Sequence, residues 1–438
     1  MGNPHDKLDG LSAEEKRALL KELLKQQKPA SNAGRFSGYQ FPPGYELLRR
    51  QMESDGNQGV SDLLFQAFDG INANLARHAG RDLINFCSYN YLGMSGDPVV
   101  SRAAIEAIET YGTSVSASRV VSGERPIHRE LETELADWLG TDDAVAFVGG
   151  FGTNEDAVGH LFGDGDLILY DSLIHASIQR GAKLSGATIV PFPHNNLDAL
   201  ENLLQRQRKN AKQALIVAEG VYSMDGDIVD LPQLIDIKKR HDALLMIDEA
   251  HSIGVLGRTG RGIGEYHNAD AREVDLWMGT LSKTFASCGG YIAGAKSLVS
   301  YLRYTAPGFV YSVGMSPPNT AAALASLRLL RKEPERVVTL QSRAGLFRQL
   351  ARQHGLDIGA SHDSAVVPVF VGGSLTAALL SRTLLARGIL ALPIAYPAVP
   401  ENAARLRYFI SSTHTEQEIR SSVETTAACL ADLRVKTA

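Results

Sequence analysis

From about residue 80 onward, short apolar runs alternate with stretches in which apolar residues recur every three or four positions. The runs DLINFCS (82–88), DAVAFVGG (143–150), DLILYD (166–171), ATIVPFP (187–193), QALIVAEG (213–220), ALLMIDEA (243–250) and VDLWMGT (274–280) are apolar throughout and of strand length. That pattern predicts strands buried on both faces. Between them, HRELETELADWLG (128–140) and LDALENLLQRQRK (197–209) carry the helical period. The alternation predicts an α/β domain with a mostly parallel sheet. After a helix-rich stretch over 319–355, AVVPVFVGG (365–373) and RLRYFISSTHT (405–415) predict a smaller α+β C-terminal domain.

The N-terminus follows a different pattern. Residues 12–27 read as an amphipathic helix: Ser12 and Glu15 form a capping box, and Leu19, Leu20, Leu23 and Leu24 share one stripe. The following KPASNAGRFSGYQFPPG is too rich in Pro, Gly and Ser for regular structure. The expected organisation is therefore a helix and linker over 1–35 and a lead-in segment over 36–85. A large domain over 86–330 and a small one over 331–438 follow. Both a packed arm and a docking element remain open for the N-terminal helix.

Composition narrows the function classes. A formal charge of −5 and a pI near 6.2 give no electrostatic reason to expect nucleic acid or an anionic membrane surface. Cys87, Cys288 and Cys429 are far apart and odd in number, which suggests neither a disulfide framework nor a metal pair. MGNPHD lacks an apolar signal core, Asp6 breaks the myristoylation pattern, and no run approaches membrane-spanning length. A cytoplasmic protein without a metal is expected.

Several motifs are excluded. No GxGxxG follows a strand, and there is no Walker A loop, HExxH or GxSxG; Asp225-Gly226-Asp227 lacks the later ligands of an EF-hand. Polar residues instead gather where strands end. These are His175, Glu219 with Ser223, Asp248 with His251, and Thr280, Ser282 and Lys283. Parallel sheets bind ligands at just those carboxyl ends. Lys283 follows Asp248 by 35 residues. A pyridoxal enzyme needs a lysine to hold the cofactor as a Schiff base and an acid to keep its ring nitrogen protonated. Asp248 alone could cap a helix, and Lys283 alone could be a surface lysine. Their joint placement at strand ends favours the pyridoxal reading, with His251 facing the ring hydroxyl or the substrate.

Here the chain resembles the α-oxoamine synthase family of fold type I pyridoxal-phosphate enzymes. The likeness runs from about Asp69 to His414. It includes INFCSYNYLGM, SASRVVSGERPIHRELE, FVGGFGTNED, DSLIHAS, EGVYSMDGD, IDEAHSIGVLGRTGRG, GTLSKTF, YSVGMSPP and ARLRYFISSTHT. The resemblance implies that His175 stacks on pyridoxal 5'-phosphate. It implies that Gly150, Phe151 and Gly152 offer backbone N–H groups to the phosphate, with the Thr280 hydroxyl beside them. It also implies that Arg407 holds an amino-acid carboxylate, assisted by Asn90 and Ser223. Two departures stand out: Ile174 occupies a position where many relatives have Asn, and near Gly314 only Ser312 and Ser316 offer hydroxyls toward a partner subunit's phosphate.

The implied reaction is a decarboxylative Claisen-type condensation of an amino acid with an acyl thioester, giving an α-amino ketone, in a homodimer. SYNYLG is similar to the serine palmitoyltransferase form of its motif. GTSVSASRVVSGERPIHRELE and the N-terminal helix are similar to synthases of polyketide and peptide assembly lines, which makes an acyl-carrier protein the expected donor over acyl-CoA. Two other readings stay open: another fold type I enzyme (an aminotransferase or lyase), and a non-catalytic partner subunit.

Overall fold

A computed structural model describes residues 63–437, together with Gly44–Glu46 and Arg49. The helix expected over 12–27 lies outside the described residues. Two units divide the chain after residue 61. In the first, Gly44–Glu46 form a helical turn, and exposed Arg49 and Glu46 pair at 3.0 Å.

The second unit is built on a seven-stranded sheet. Its strands are β3 (Asp143–Phe147), β4 (Leu167–Asp171), β5 (Thr188–Phe192), β6 (Ala214–Glu219), β7 (Leu244–Asp248), β8 (Leu276–Thr280) and β9 (Gly290–Gly294), in the order β3-β9-β8-β7-β6-β4-β5. All pairs are parallel except those made by β9. The sheet separates two apolar layers. Leu169, Ile216, Leu245 and Trp277 face one, and Ile168, Val217, Met246 and Met278 face the other. Burial on both faces is why the other strands carry unbroken apolar runs, while β5 at the sheet edge is only partly buried.

Two expectations need correction. DLINFCS forms a strand, β2 (Arg81–Asn85), but it pairs with β1 (Leu75–His78) and β11 (Ile389–Leu390) in a separate sheet. The second correction concerns β9, which the apolar pattern did not anticipate. Its sequence GYIAG is bounded by glycines, which weaken a strand signal. Those glycines answer to packing. A Cβ on Gly290 would lie 2.4 Å from Thr153 Oγ1, and one on Gly294 would lie 2.4 Å from the Asp275 carbonyl.

The C-terminal elements form a third sheet, β10-β13-β12, from β10 (Val366–Gly372), β12 (Pro393–Ile394) and β13 (Ala404–Phe409). The predicted helix-rich stretch forms two helices, Pro317–Lys332 and Glu335–Gln353. No helix among the described residues is long and apolar enough to cross a membrane.

Candidate active site

Four of the five parallel strands, β4, β6, β7 and β8, end in Asp171, Glu219, Asp248 and Thr280, so these polar termini fall along one edge of the sheet. β6 and β7 are in register there, with Glu219 directly opposite Asp248. Both acids are buried. Asp248 accepts from Asn154 Nδ2 at 3.0 Å and from the Ala250 N–H at 2.9 Å. Glu219 accepts from the Ser223 N–H at 3.2 Å. Burial, with the Asp248 charge alongside, pushes the Glu219 carboxyl up to about 8. Two adjacent acids in a low-dielectric site do not both ionise readily, so the proton stays on Glu219 at neutral pH.

Lys283 follows β8 by three residues and is half-buried. Burial pushes its ammonium pKa down; Asp248 and Glu219 oppose that shift, and Arg407 adds to it. Its Nζ lies 5.6 Å from the centre of the Tyr89 ring. A lysine with a lowered pKa is a better nucleophile at neutral pH than an exposed one.

His175 caps the helix Ala176–Ser185, and its Nδ1 lies 2.6 Å from Ser177 Oγ. Ser177 Oγ also accepts from Asn154 Nδ2 at 3.0 Å. A single amide therefore joins the histidine's anchor to Asp248. Burial lowers the His175 pKa, with Lys283 and Arg407 adding to the shift against Asp248.

The helix Gly150–Leu161 starts beside β8, and its N-cap Gly149 has no side chain to satisfy the free N–H groups. Gly150 approaches Thr280 so closely that a Cβ would lie 2.7 Å from Thr280 Oγ1. Thr280 Oγ1 is 2.8 Å from Ser282 Oγ. Two hydroxyls thus sit at a helix N-terminus, an arrangement suited to a phosphate. Phe151 is exposed and meets the His175 ring edge-on, with centroids 6.1 Å apart.

Arg405 and Arg407 share one face of β13 but differ in their partners. Arg405 pairs with Asp225 and lies over Phe370. Arg407 donates to the Ser223 carbonyl at 2.9 Å and lies over Phe409, and it pairs with no carboxylate among the described residues. The free fork is the one the resemblance selects.

Asn90, expected to assist Arg407, has its amide engaged within its own turn. Its amide donates to the carbonyls of Asn72 and Ser95, and its Oδ1 accepts from the Ser95 N–H. That fold of the chain turns the neighbouring Tyr89 toward Lys283 instead. Tyr89, Tyr91, Asn154 and Glu219 were not assigned roles from the sequence. Glu219 and Asn154 carried a usable signal, since one ends a strand and the other lies one turn into the phosphate-side helix. Ile174 is buried, and Gly314 donates its N–H to Ala117.

Three buried polar atoms around Asp248, Lys283 and Ser223 have no hydrogen-bond partner among the described residues: Asn154 Oδ1, Glu219 Oε1 and Arg407 Nε. A lysine, a fixed acid, a cap histidine and a hydroxyl-lined helix N-terminus match the aldehyde, ring and phosphate of pyridoxal 5'-phosphate. Among the described residues no cluster could hold a metal ion.

The family model of aminotransferase class I and II matches residues 81–425. An 8-amino-7-oxononanoate synthase of Fervidobacterium nodosum is 38% identical, over 86% of this chain and 95% of its own. Human serine palmitoyltransferase 3 is 40% identical, over 83% of this chain and 69% of its own. Among solved structures, a serine palmitoyltransferase from S. paucimobilis with bound PLP–myriocin aldimine superposes with a TM-score of 0.86 at 30% identity, covering 91% of this chain and all of that one. The chain belongs to the α-oxoamine synthases, fold type I pyridoxal-phosphate enzymes within aminotransferase class I and II.

Proposed function

We propose that the protein joins an amino acid to an acyl thioester with loss of CO₂ and of the thiol, leaving an α-amino ketone. The observation that carries this reading is the uncommitted Arg407 fork beside a half-buried Lys283, in a chain similar to two condensing enzymes. The alternatives of another fold type I enzyme and of a scaffold subunit lose ground, since the chain is similar to condensing enzymes and carries Lys283, Asp248 and His175, which a scaffold would not need.

When bound, pyridoxal 5'-phosphate supplies an electron sink for the charge that develops at the amino acid's α-carbon. Lys283 would hold the cofactor, and its Nζ would take up the α-proton; burial, which lowers its ammonium pKa, favours that role. Asp248, held by Asn154 and the Ala250 N–H, keeps the ring nitrogen protonated. Thr280, Ser282 and the N–H groups of Gly150, Phe151 and Gly152 hold the phosphate, and His175 covers the ring. Arg407, with Ser223 beside it, holds the substrate carboxylate in a bidentate fork. His251 donates to an oxygen in the cleft. A homodimer is part of the proposal, with Ser312 near the partner's site. A carrier-bound acyl group is the preferred donor, supported by the amphipathic pattern over residues 12–27.

The test is to supply each of the twenty amino acids with an acyl-carrier-protein thioester or an acyl-CoA, and to measure CO₂ and the amino ketone. Equimolar CO₂ and ketone from one amino acid is the expected result. Amino-group transfer without CO₂ would move the protein to the aminotransferases. Deleting residues 1–35 should slow the carrier-protein reaction and spare that with a small thioester mimic; equal effects on both would return acyl-CoA to first place.

A further inference from the structure

Tyr91 is fully buried, and its hydroxyl lies 2.7 Å from Nδ1 of His251. The two come from distant parts of the chain. Tyr91 follows β2, where its carbonyl accepts from the Ser412 N–H at 2.7 Å, and His251 follows β7. The His251 ring cannot turn freely. Phe409 lies nearly parallel to it at 6.0 Å, while Tyr89 and Tyr91 meet it edge-on at 5.9 and 6.2 Å.

The proton count fixes which ring nitrogen carries hydrogen. The Tyr91 hydroxyl has no hydrogen-bond partner among the described residues besides His251. If Nδ1–H donated to it, the phenol proton would be buried without an acceptor, which is the costlier arrangement. If the phenol donates to a bare Nδ1, both groups are satisfied and the proton of the neutral ring sits on Nε2. Nε2 has no partner among the described residues and is the nitrogen left for a ligand. We infer that Tyr91 is a positioning residue, which fixes His251 in the Nε2–H tautomer and aims that N–H at an electron-rich oxygen in the cleft.

The electrical setting agrees. Burial, with Lys283, Arg407 and His175 nearby, keeps the His251 ring neutral, and burial keeps the Tyr91 phenol protonated. A neutral ring has a tautomer to be set, and a charged one would not. What Nε2 donates to rests on the condensation reading; which nitrogen holds the proton does not.

The test uses holoenzyme and cofactor-free enzyme labelled with ¹⁵N-histidine, with the His251 signals assigned by their loss in His251→Gln. The expected wild-type spectrum shows a protonated Nε2 and a bare Nδ1 in both forms. In Tyr91→Phe, mixed tautomers should appear. There kcat should fall about tenfold or more, the lower part of the range for general acid–base groups, while amino-acid KM and cofactor content hold steady. In a His251→Ala background the same change should cost nothing further. A wild-type Nδ1–H signature would overturn the inference, as would an equal kcat loss in both backgrounds. If Tyr91→Phe fails to fold, the wild-type spectrum decides by itself. A failed condensation assay would leave the nitrogen signals interpretable, so the two ideas fail separately.

Discussion

The loop from Gly220 to Ile228 joins two clusters of charge that are finished to different degrees. On one side, His194 donates from both ring nitrogens, to Asp171 at 2.9 Å and Asp227 at 2.9 Å. Asn195 also binds both acids, and Arg405 closes on Asp225. On the other side, among the described residues, Arg407 has no carboxylate and an unpartnered Nε, and His251 uses one ring nitrogen of two, whereas both cations of the first cluster meet carboxylates even though Asp227 Oδ1, like Glu219 Oε1, is left over. Polar groups that are paired hold the chain in place. Polar groups left short of partners at a strand edge are available to a ligand, and their shortage costs stability until one binds.

The sharpest way to break this comparison is to remove the most committed member of the open cluster. Lys283→Ala should abolish turnover and the yellow absorbance of the holoenzyme, and borohydride should no longer fix a pyridoxyl group. The fold should survive, because Lys283 makes no ion pair among the described residues. A colourless variant that still condenses substrates would place the chemistry elsewhere.

Next in size is Asp248→Asn, which keeps the hydrogen bond to Asn154 in shape but not its charge. A rate loss of about 100-fold or more is expected, the scale for a well-placed electrostatic group. Near-normal kcat would reassign the acid, with Glu219 on the neighbouring strand as the obvious replacement.

The two arginines sharpen the contrast on a single strand. Arg407→Lys retains charge but loses the fork, so amino-acid KM should rise roughly tenfold with the melting temperature unchanged. Arg405→Lys should do the reverse, lowering the melting temperature with KM within about twofold. Identical behaviour from both would erase the distinction.

The smallest effect on turnover is expected from His194→Gln. Its two acids raise the His194 pKa from 6.5 to about 10, against the cost of burial. A raised histidine pKa gives stability that is complete below 6.5 and lost as pH climbs through 10. The variant should therefore lose up to about 3–5 kcal/mol near pH 6, the range for breaking a buried ion pair, and the gap to wild type should shrink above pH 10. Urea melts at both pH values measure this, and a constant gap would show that the imidazolium charge is not what matters.

Much of this was legible in the sequence. Seven apolar runs became strands; five of them are apolar because burial on both faces leaves little room for polar residues, while those forming β2 and β5 are only partly buried. Lys283, Asp248, His175 and Thr280 were visible because they break those runs where strands end. Asn90 and Tyr89 were not separable, since adjacent residues in a turn differ in direction rather than in composition. β9 gave no clear period to read, because two of its five positions, Gly290 and Gly294, are held to glycine by close contacts.

What the sequence by itself determined is therefore the order of apolar and polar segments, a consequence of local composition, and the family, which its motifs carry. Only the tertiary structure decided which acid keeps its proton, which arginine stays free and which nitrogen of His251 faces the cleft. Each of those depends on a partner far away in the chain: Asp248 across the sheet from Glu219, Asp225 taking Arg405 but not Arg407, and Tyr91 reaching His251 from 160 residues before it. Protonation and pairing are settled by distance and burial, and a linear order of residues specifies neither until the chain has closed on itself.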